Sequence, residues 1–350
     1  MYCQADPGTR PSISDWQGIR LVTLPTRMVG PLGTMEFDLK CILHSLRHPS
    51  GVNLTLGYNT AIFSLLLRFR GRINLINMDG LEWKRSKWSA PARAWFYLNE
   101  WLGCWIGNRL IADHPEIARH LRTRGVAHKV VMIPYGAELV RDGSMSVPVA
   151  FGLVSAGYLL IVARPEPENS ILELVRAFSV RRRGIKLAVL GAYAPETNSY
   201  HAMVAAAASD EVLFLGAIYD PTTVAALRYH ALAYCHGHRV GGTNPSLVEA
   251  LGAGCAVLAH DNPFNRWVAG AAALYFSNED ECAHAMEALL ADPDGVERLR
   301  AASRQRHADS FTWPAVLQAY EALLTSASGL ALPTKAHLTT ETIKQGSGND

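Results

Sequence analysis

Short apolar runs alternate with longer amphipathic ones along almost the whole chain, and each change of period marks a change of element. The strand candidates of the first half are IRLVTLP, VNLTLGY, RINLINM, RLIAD and KVVMIPY. Between them lie helical patterns such as ARAWFYLNEWLGCWIG, in which apolar residues recur at helical spacing. After PYGAELVRDGSMSVPVAFG, a stretch dense in Gly, Ser and Pro, the alternation starts afresh with YLLIVAR, IKLAVLG, EVLFLGA, ALAYCHG, CAVLAHD and AALYFS. Strand and helix in strict alternation predict parallel sheets covered by helices, and the restart predicts two such units. The expected organisation is a first domain over 1–145, a second over 146–312, and a helix over 313–327 that packs back towards the first. The last residues, 328–350, are polar and aperiodic and are expected to be disordered.

A chain of 350 residues exceeds what one usual core supports, which agrees with two domains. Its formal charge of +2 argues against a nucleic-acid binder, so any basic chemistry must be local. The six cysteines, at 3, 41, 104, 235, 255 and 282, form no CxxC pair, which points to reduced thiols in a cytoplasmic protein rather than a zinc site. The first residues lack the charged start and apolar core of a secretion signal, and no run approaches the ~20 apolar residues of a spanning helix.

Two doubly wound units in series set the carboxyl ends of two sheets across a cleft, so the chemistry belongs on the loops that follow strands. In ALAYCHGHRVGGTNPSLVEALGAG a strand ends near Tyr234 and a helix begins near Asn244. Asn244 suits the cap and Pro245 the first turn, while Gly241 and Gly242 let the backbone approach a ligand. The product is a helix N-terminus aimed at the cleft, a seat for phosphate. Glu249 lies one turn further along an apolar helix, where sugar hydroxyls would suit its carboxylate; the same spacing also fits a solvent face. Arg164 directly follows a strand and could grip a diphosphate, or pair with Glu166 or Glu168. His236 and His238 share one side of an extended segment and could contact phosphate or serve the loop structurally; a metal role lacks a third ligand. In NMDGLEWKRSKWS, Asp79, Glu82, Trp83, Lys84, Arg85, Lys87 and Trp88 crowd one loop that could hold a sugar or a second phosphate. The plainer account is a solvated helix start with its tryptophans packed underneath. No G-x-x-x-x-G-K-[ST], G-x-S-x-G or H-E-x-x-H occurs, and DPDG at 292–295 reads as a turn.

On NMDGLEWKRSKWS, VARPEPENS and HGHRVGGTNPSLVEALGAGCAVLAHDNPFNR, the chain resembles the retaining glycosyltransferases of GT-B fold found in bacterial polysaccharide synthesis, in the branch often described as rhamnosyltransferases. The resemblance implies an α/β fold of two Rossmann-like domains, a nucleotide-diphosphate sugar held by the second, and a glycan or lipid-linked acceptor held by the first. It implies no metal or other cofactor. Arg164 matches the basic residue that contacts the diphosphate, and Glu249 the second glutamate of an E-x7-E motif that holds the ribose. The segment Gly241, Gly242, Thr243, Asn244, Ser246 and Leu247 matches the one whose amides face the distal phosphate and the sugar. Asp79 falls where relatives place a polar residue beside the reacting sugar, so Asp79, Arg164 and Glu249 form the expected catalytic set. The acceptor is expected on Glu82, Trp83, Lys84 and Arg85.

Three departures qualify these expectations. Gly241 stands where the motif's first glutamate would be. Asn169 replaces a lysine that many relatives set against the diphosphate, leaving His236 or His238 to supply positive character. The first domain is expected to be N-terminally truncated, starting about 35 residues late, one strand-helix-strand unit short of its relatives. The rivals to a transferase are a sugar-nucleotide epimerase on the same fold and a noncatalytic remnant. Peripheral contact with a membrane face would fall to Lys84, Arg85, Lys87 and the neighbouring tryptophans, or to Arg181, Arg182 and Arg183.

Overall fold

The computed structural model describes residues 1–48, 51–85 and 87–329; the expectation of a disordered tail falls, from 330 on, outside the described residues. All eleven strand candidates form strands. In the first half these are β3 (Ile19–Pro25), β4 (Val52–Leu56), β5 (Ile73–Asn77), β6 (Arg109–Ala112) and β7 (Val130–Met132). In the second they are β8 (Tyr158–Val162), β9 (Lys186–Leu190), β10 (Val212–Gly216), β11 (Ala233–His236), β12 (Ala256–His260) and β13 (Ala273–Phe276). The structure adds β1 (Tyr2–Ala5) and an exposed β2 (Ser12–Trp16), which turns back antiparallel onto β3.

The strands of the second half form one parallel sheet in the order β10-β9-β8-β11-β12-β13. Apolar cores cover both faces. One centres on Tyr158, Leu160, Tyr234, Leu247 and Leu251, the other on Leu159, Ile161, Phe178 and Leu258. Such burial on both faces is why these strands read as continuous apolar runs rather than alternating ones.

The first half holds its strands in two sheets, β1-β3-β2 and β4-β5-β6-β7. Among the described residues the outer edge of β1 and the outer edge of β4 pair with nothing. Large apolar side chains stand exposed on and around β4, with Leu56 77% and Phe69 75% accessible. The helix Trp313–Ser328 packs Val316 and Leu323 against Leu75, Ile111 and Ile133 of this half. No described helix is long and apolar enough to cross a membrane.

Candidate active site

Chain order reverses between β8 and β11: β9 and β10 build outwards on one side, β11, β12 and β13 on the other. Loops leaving neighbouring strands at such a switch point diverge, and the crevice between them is where doubly wound sheets take ligands. Arg164 lies two residues beyond the end of β8. The segment from Gly237 to Asn244 leads from the end of β11 to the helix Pro245–Gly252. Asn244 caps that helix, its side-chain oxygen accepting the Ser246 amide at 3.0 Å. The amides of Gly242 and Asn244 find no acceptor among the described residues, whereas Leu247 donates its own to the Asn244 carbonyl. The Leu247 side chain is core, and the Ser246 hydroxyl is taken up internally by Tyr234 at 2.7 Å and Arg228 at 3.0 Å. Of the expected donor loop, Gly241 and Asn244 are partly accessible, Gly242 abuts the first domain and Thr243 is buried, while Ser246 and Leu247 hold the helix in place.

Arg164 is exposed and makes no ion pair among the described residues; Glu168, one of its expected partners, is bound by Arg85 instead. Asn169 is buried and donates to the Arg164 carbonyl at 2.8 Å, so it shapes the loop rather than presenting its amide to a ligand. Glu249 is half-buried, and Arg228 on the preceding helix anchors it, Nη2 to Oε2 at 2.6 Å. Arg228 is itself buried, so its charge stays in place and leaves the second carboxylate oxygen of Glu249 for other partners.

His236 and His238 do share a face, their rings stacked 4.3 Å apart. The expectation of positive charge fails for both. Burial first, then the neighbouring ring, holds His236 well below the usual imidazole range; burial likewise takes His238 down to about 4, outweighing the opposing charge of Glu168. Each is neutral at neutral pH and can offer a phosphate a hydrogen bond but no charge. His236 Nε2 and His238 Nδ1 are buried with no hydrogen-bond partner.

The first domain meets this crevice with the carboxyl ends of β5 and β6. Asp79 takes a left-handed backbone conformation, φ 35°, fixed by its amide donating to Asn77 Oδ1 at 3.0 Å. A non-glycine residue held there points to a functional placement. The enclosing protein, and secondarily the charge of Glu82, raise its carboxyl pKa although the residue remains accessible to water. Asp113, directly after β6, accepts the Thr243 amide at 2.7 Å, and the Thr243 hydroxyl bonds back to the Asp113 carbonyl. Its other carboxylate oxygen is buried without a partner. Burial pushes this carboxyl up to about 6 against the opposing effect of the Thr243 hydrogen bond. Any Cβ on Gly242 would lie 2.2 Å from Asp113 Oδ2, which is what the second glycine of the loop is for.

In the loop of acids, bases and indoles the tryptophans pack inwards, as the plainer account has it, but Glu82 and Arg85 are paired rather than solvated. Trp83 donates to the buried Glu100 at 2.6 Å, Trp88 to Glu82 at 2.9 Å, and Arg85 joins Glu82 to Glu168 across the two domains. Glu82, Trp83 and Arg85 are thereby committed to the protein, and only Lys84 of the four expected acceptor residues is exposed. The cluster Arg181, Arg182 and Arg183 is likewise paired, with Glu287 and Asp210. Among the described residues no three His, Cys, Asp or Glu side chains come together as a metal-binding set. Sequence reasoning missed Asp113 and Arg228. Asp113 carried a signal, as a carboxylate at the end of the candidate strand RLIAD; Arg228 carried none.

Residues 155–306 match the family model described as Glycosyl transferases group 1, and residues 16–138 match a domain of unknown function, DUF1972. The overall structure superposes on a sucrose-phosphate synthase from Thermosynechococcus elongatus with TM-score 0.78 at 19% identity, over 93% of this chain and 89% of that one. The chain has the GT-B fold, two Rossmann-like α/β domains in series. Two further structures are similar. Anabaena HepE in complex with UDP and glucose gives TM-score 0.73 at 14% identity, over 88% of this chain and 87% of that one. A UDP-forming trehalose-phosphate synthase from Burkholderia xenovorans in complex with glucose-6-phosphate gives 0.72 at 12%, over 93% and 90%. No curated protein matches the sequence.

Proposed function

We propose that the protein transfers a hexose or deoxyhexose from a nucleotide-diphosphate sugar to a hydroxyl of a glycan or lipid-linked acceptor, with retention, in cell-surface polysaccharide synthesis. The observation that carries this reading is the switch point between β8 and β11. There an arginine and a capped helix N-terminus, its Gly242 and Asn244 amides without acceptors among the described residues, meet one crevice, with an anchored carboxylate one helical turn behind. Support for the substrate class comes from the match of this half to group 1 glycosyl transferases and from the UDP and glucose bound in the Anabaena relative. Rhamnose is the donor suggested by the resemblance of the longest motif. The reaction belongs on the cytoplasmic face of a membrane if the acceptor is lipid-linked, with the exposed Lys84 and Lys87 as the nearest basic contacts.

Negative charge builds on the diphosphate as the glycosidic bond breaks. Arg164 and the Gly242 and Asn244 amides then bind the transition state more tightly than the substrate. Glu249 holds the ribose through its free oxygen. The departing phosphate takes the proton of the attacking hydroxyl, and this scheme routes no step through a metal. Arg164→Ala should lower turnover by roughly 10²–10³, as for loss of an oxyanion donor. Its melting temperature should stay put, since the side chain is exposed and unpaired. Full activity in that variant would overturn the assignment. An epimerase would form product with no acceptor present, so donor turnover with and without acceptor separates the two. The divided first sheet favours one further reading, a donor-binding protein that does not transfer; binding of nucleotide sugar without turnover would establish it.

A further inference from the structure

With Glu82, Trp83 and Arg85 committed elsewhere, the first domain needs another place for a substrate, and the structure contains one. A cavity of about 170 Å³ opens beyond the carboxyl ends of β4 and β5, lined by Leu56, Gly57, Asn77, Asp79, Tyr135 and Tyr320. We propose that this cavity seats one pyranose ring, the terminal sugar of the acceptor, with Asp79 accepting its hydroxyls and Tyr135 and Tyr320 forming its walls. The word acceptor rests on the transferase reading; the assignment of the cavity to a sugar ring does not.

The chemistry of the lining is that of a sugar. A pyranose is polar at its rim and apolar on its faces, and it needs carboxylate or amide groups for the hydroxyls and aromatic or aliphatic surface for the C–H groups. Asp79 supplies the first, held at its left-handed φ of 35° and without an ion pair among the described residues. The two tyrosines and Leu56 supply the second. The volume suits one ring, and the rest of a longer acceptor leaves past Leu56, which is 77% exposed at the rim.

The position fits transfer as well. Gly80 follows Asp79, and a Cβ built on it would lie 4.0 Å from the Gly241 backbone. The backbone that carries Asp79 therefore borders the donor loop. A wider recess of about 550 Å³ on the second domain lacks these properties: it lies away from the strand ends, and its Arg176 and Glu279 pair with each other.

The test uses the full chain and a panel of methyl glycosides of hexoses and 6-deoxyhexoses, with binding read by saturation-transfer NMR. At least one glycoside should bind. Leu56→Trp, which closes the rim from an exposed position, and Asp79→Asn should each weaken it by about tenfold or more. Tyr320→Phe, which keeps the wall, should weaken it less. Equal melting temperatures of the variants control for folding. No binding by the wild type, or binding unchanged in both Leu56→Trp and Asp79→Asn, overturns the proposal. So does competition between the glycoside and a UDP-sugar but not UDP alone, which would make the cavity the donor-sugar seat. Binding that behaves as expected in a protein with no affinity for any nucleoside diphosphate sustains the cavity while removing the transferase reading. Donor turnover with water but no glycoside binding removes the cavity and leaves that reading standing.

Discussion

Six parallel strands run without a break through the second domain, packed between two apolar cores, whereas the first domain carries its strands in two sheets whose β1 and β4 edges lie open. Both halves arise from the same alternation of apolar and amphipathic segments, so the pattern alone does not distinguish them. The difference lies in what covers the strands. Leu258 in β12 is wholly buried, while Leu54 and Leu56 in β4 face water. The loop from Gly237 to Asn244, mounted on the first kind of sheet, is preorganised. The cleft face mounted on the second is held in place chiefly through its contacts with its partner domain. Those contacts include Asp113 to Thr243, Arg85 to Glu168, the His114 ring against Phe264 and Trp267, and the Trp313–Ser328 helix against Leu75 and Ile133.

That contrast can be broken most severely in the cores. Leu258→Ala should lower unfolding stability by about 2–5 kcal/mol, and Leu54→Ala by less than ~1 kcal/mol, measured by denaturant titration with hydrogen exchange resolving the two domains. Equal losses would erase the distinction. Next comes the joint between the halves. The Asp113 carboxyl titrates at about 6 in the folded protein against 3.8 for the free group. The folded state then holds the extra proton between those values, so stability falls as pH rises from about 4 to about 6, by roughly 1–3 kcal/mol. Asp113→Asn should flatten that slope; a slope that persists would place its origin elsewhere. The mildest effect belongs to the preorganised side. Asn244→Ala removes one cap and should cost about 1 kcal/mol while weakening nucleotide diphosphate binding measured by calorimetry.

Much of this architecture could be read from the residues. Eleven strands, the placement of Arg164 beyond β8 and the capped helix at Asn244 follow from local pattern. The exposed strand Ser12–Trp16 did not, because no apolar face commits it to a core. What local pattern cannot carry is partnership across the chain. Glu249 looked equally fit for solvent until Arg228, from another helix, was found beneath it. Whether Trp83 and Trp88 hold a ligand or pack inwards depends on their carboxylate partners Glu100 and Glu82, which tertiary packing sets. The charge of His236 and His238 depends on burial, which spacing does not report. Asp113 was visible as a residue but not as a contact, since its partner Thr243 is 130 positions away.

Gly242 turns the joint between the domains into an experimental handle. Its missing side chain is the clearance that lets Asp113 come within reach of Thr243, and a methyl group there would meet the carboxylate oxygen at 2.2 Å. Gly242→Ala is thus a wedge one carbon wide. It would prop the cleft apart while leaving Arg164, Glu249 and the Asn244 cap chemically intact, giving crystallographers and spectroscopists a way to part the two faces without altering their other groups.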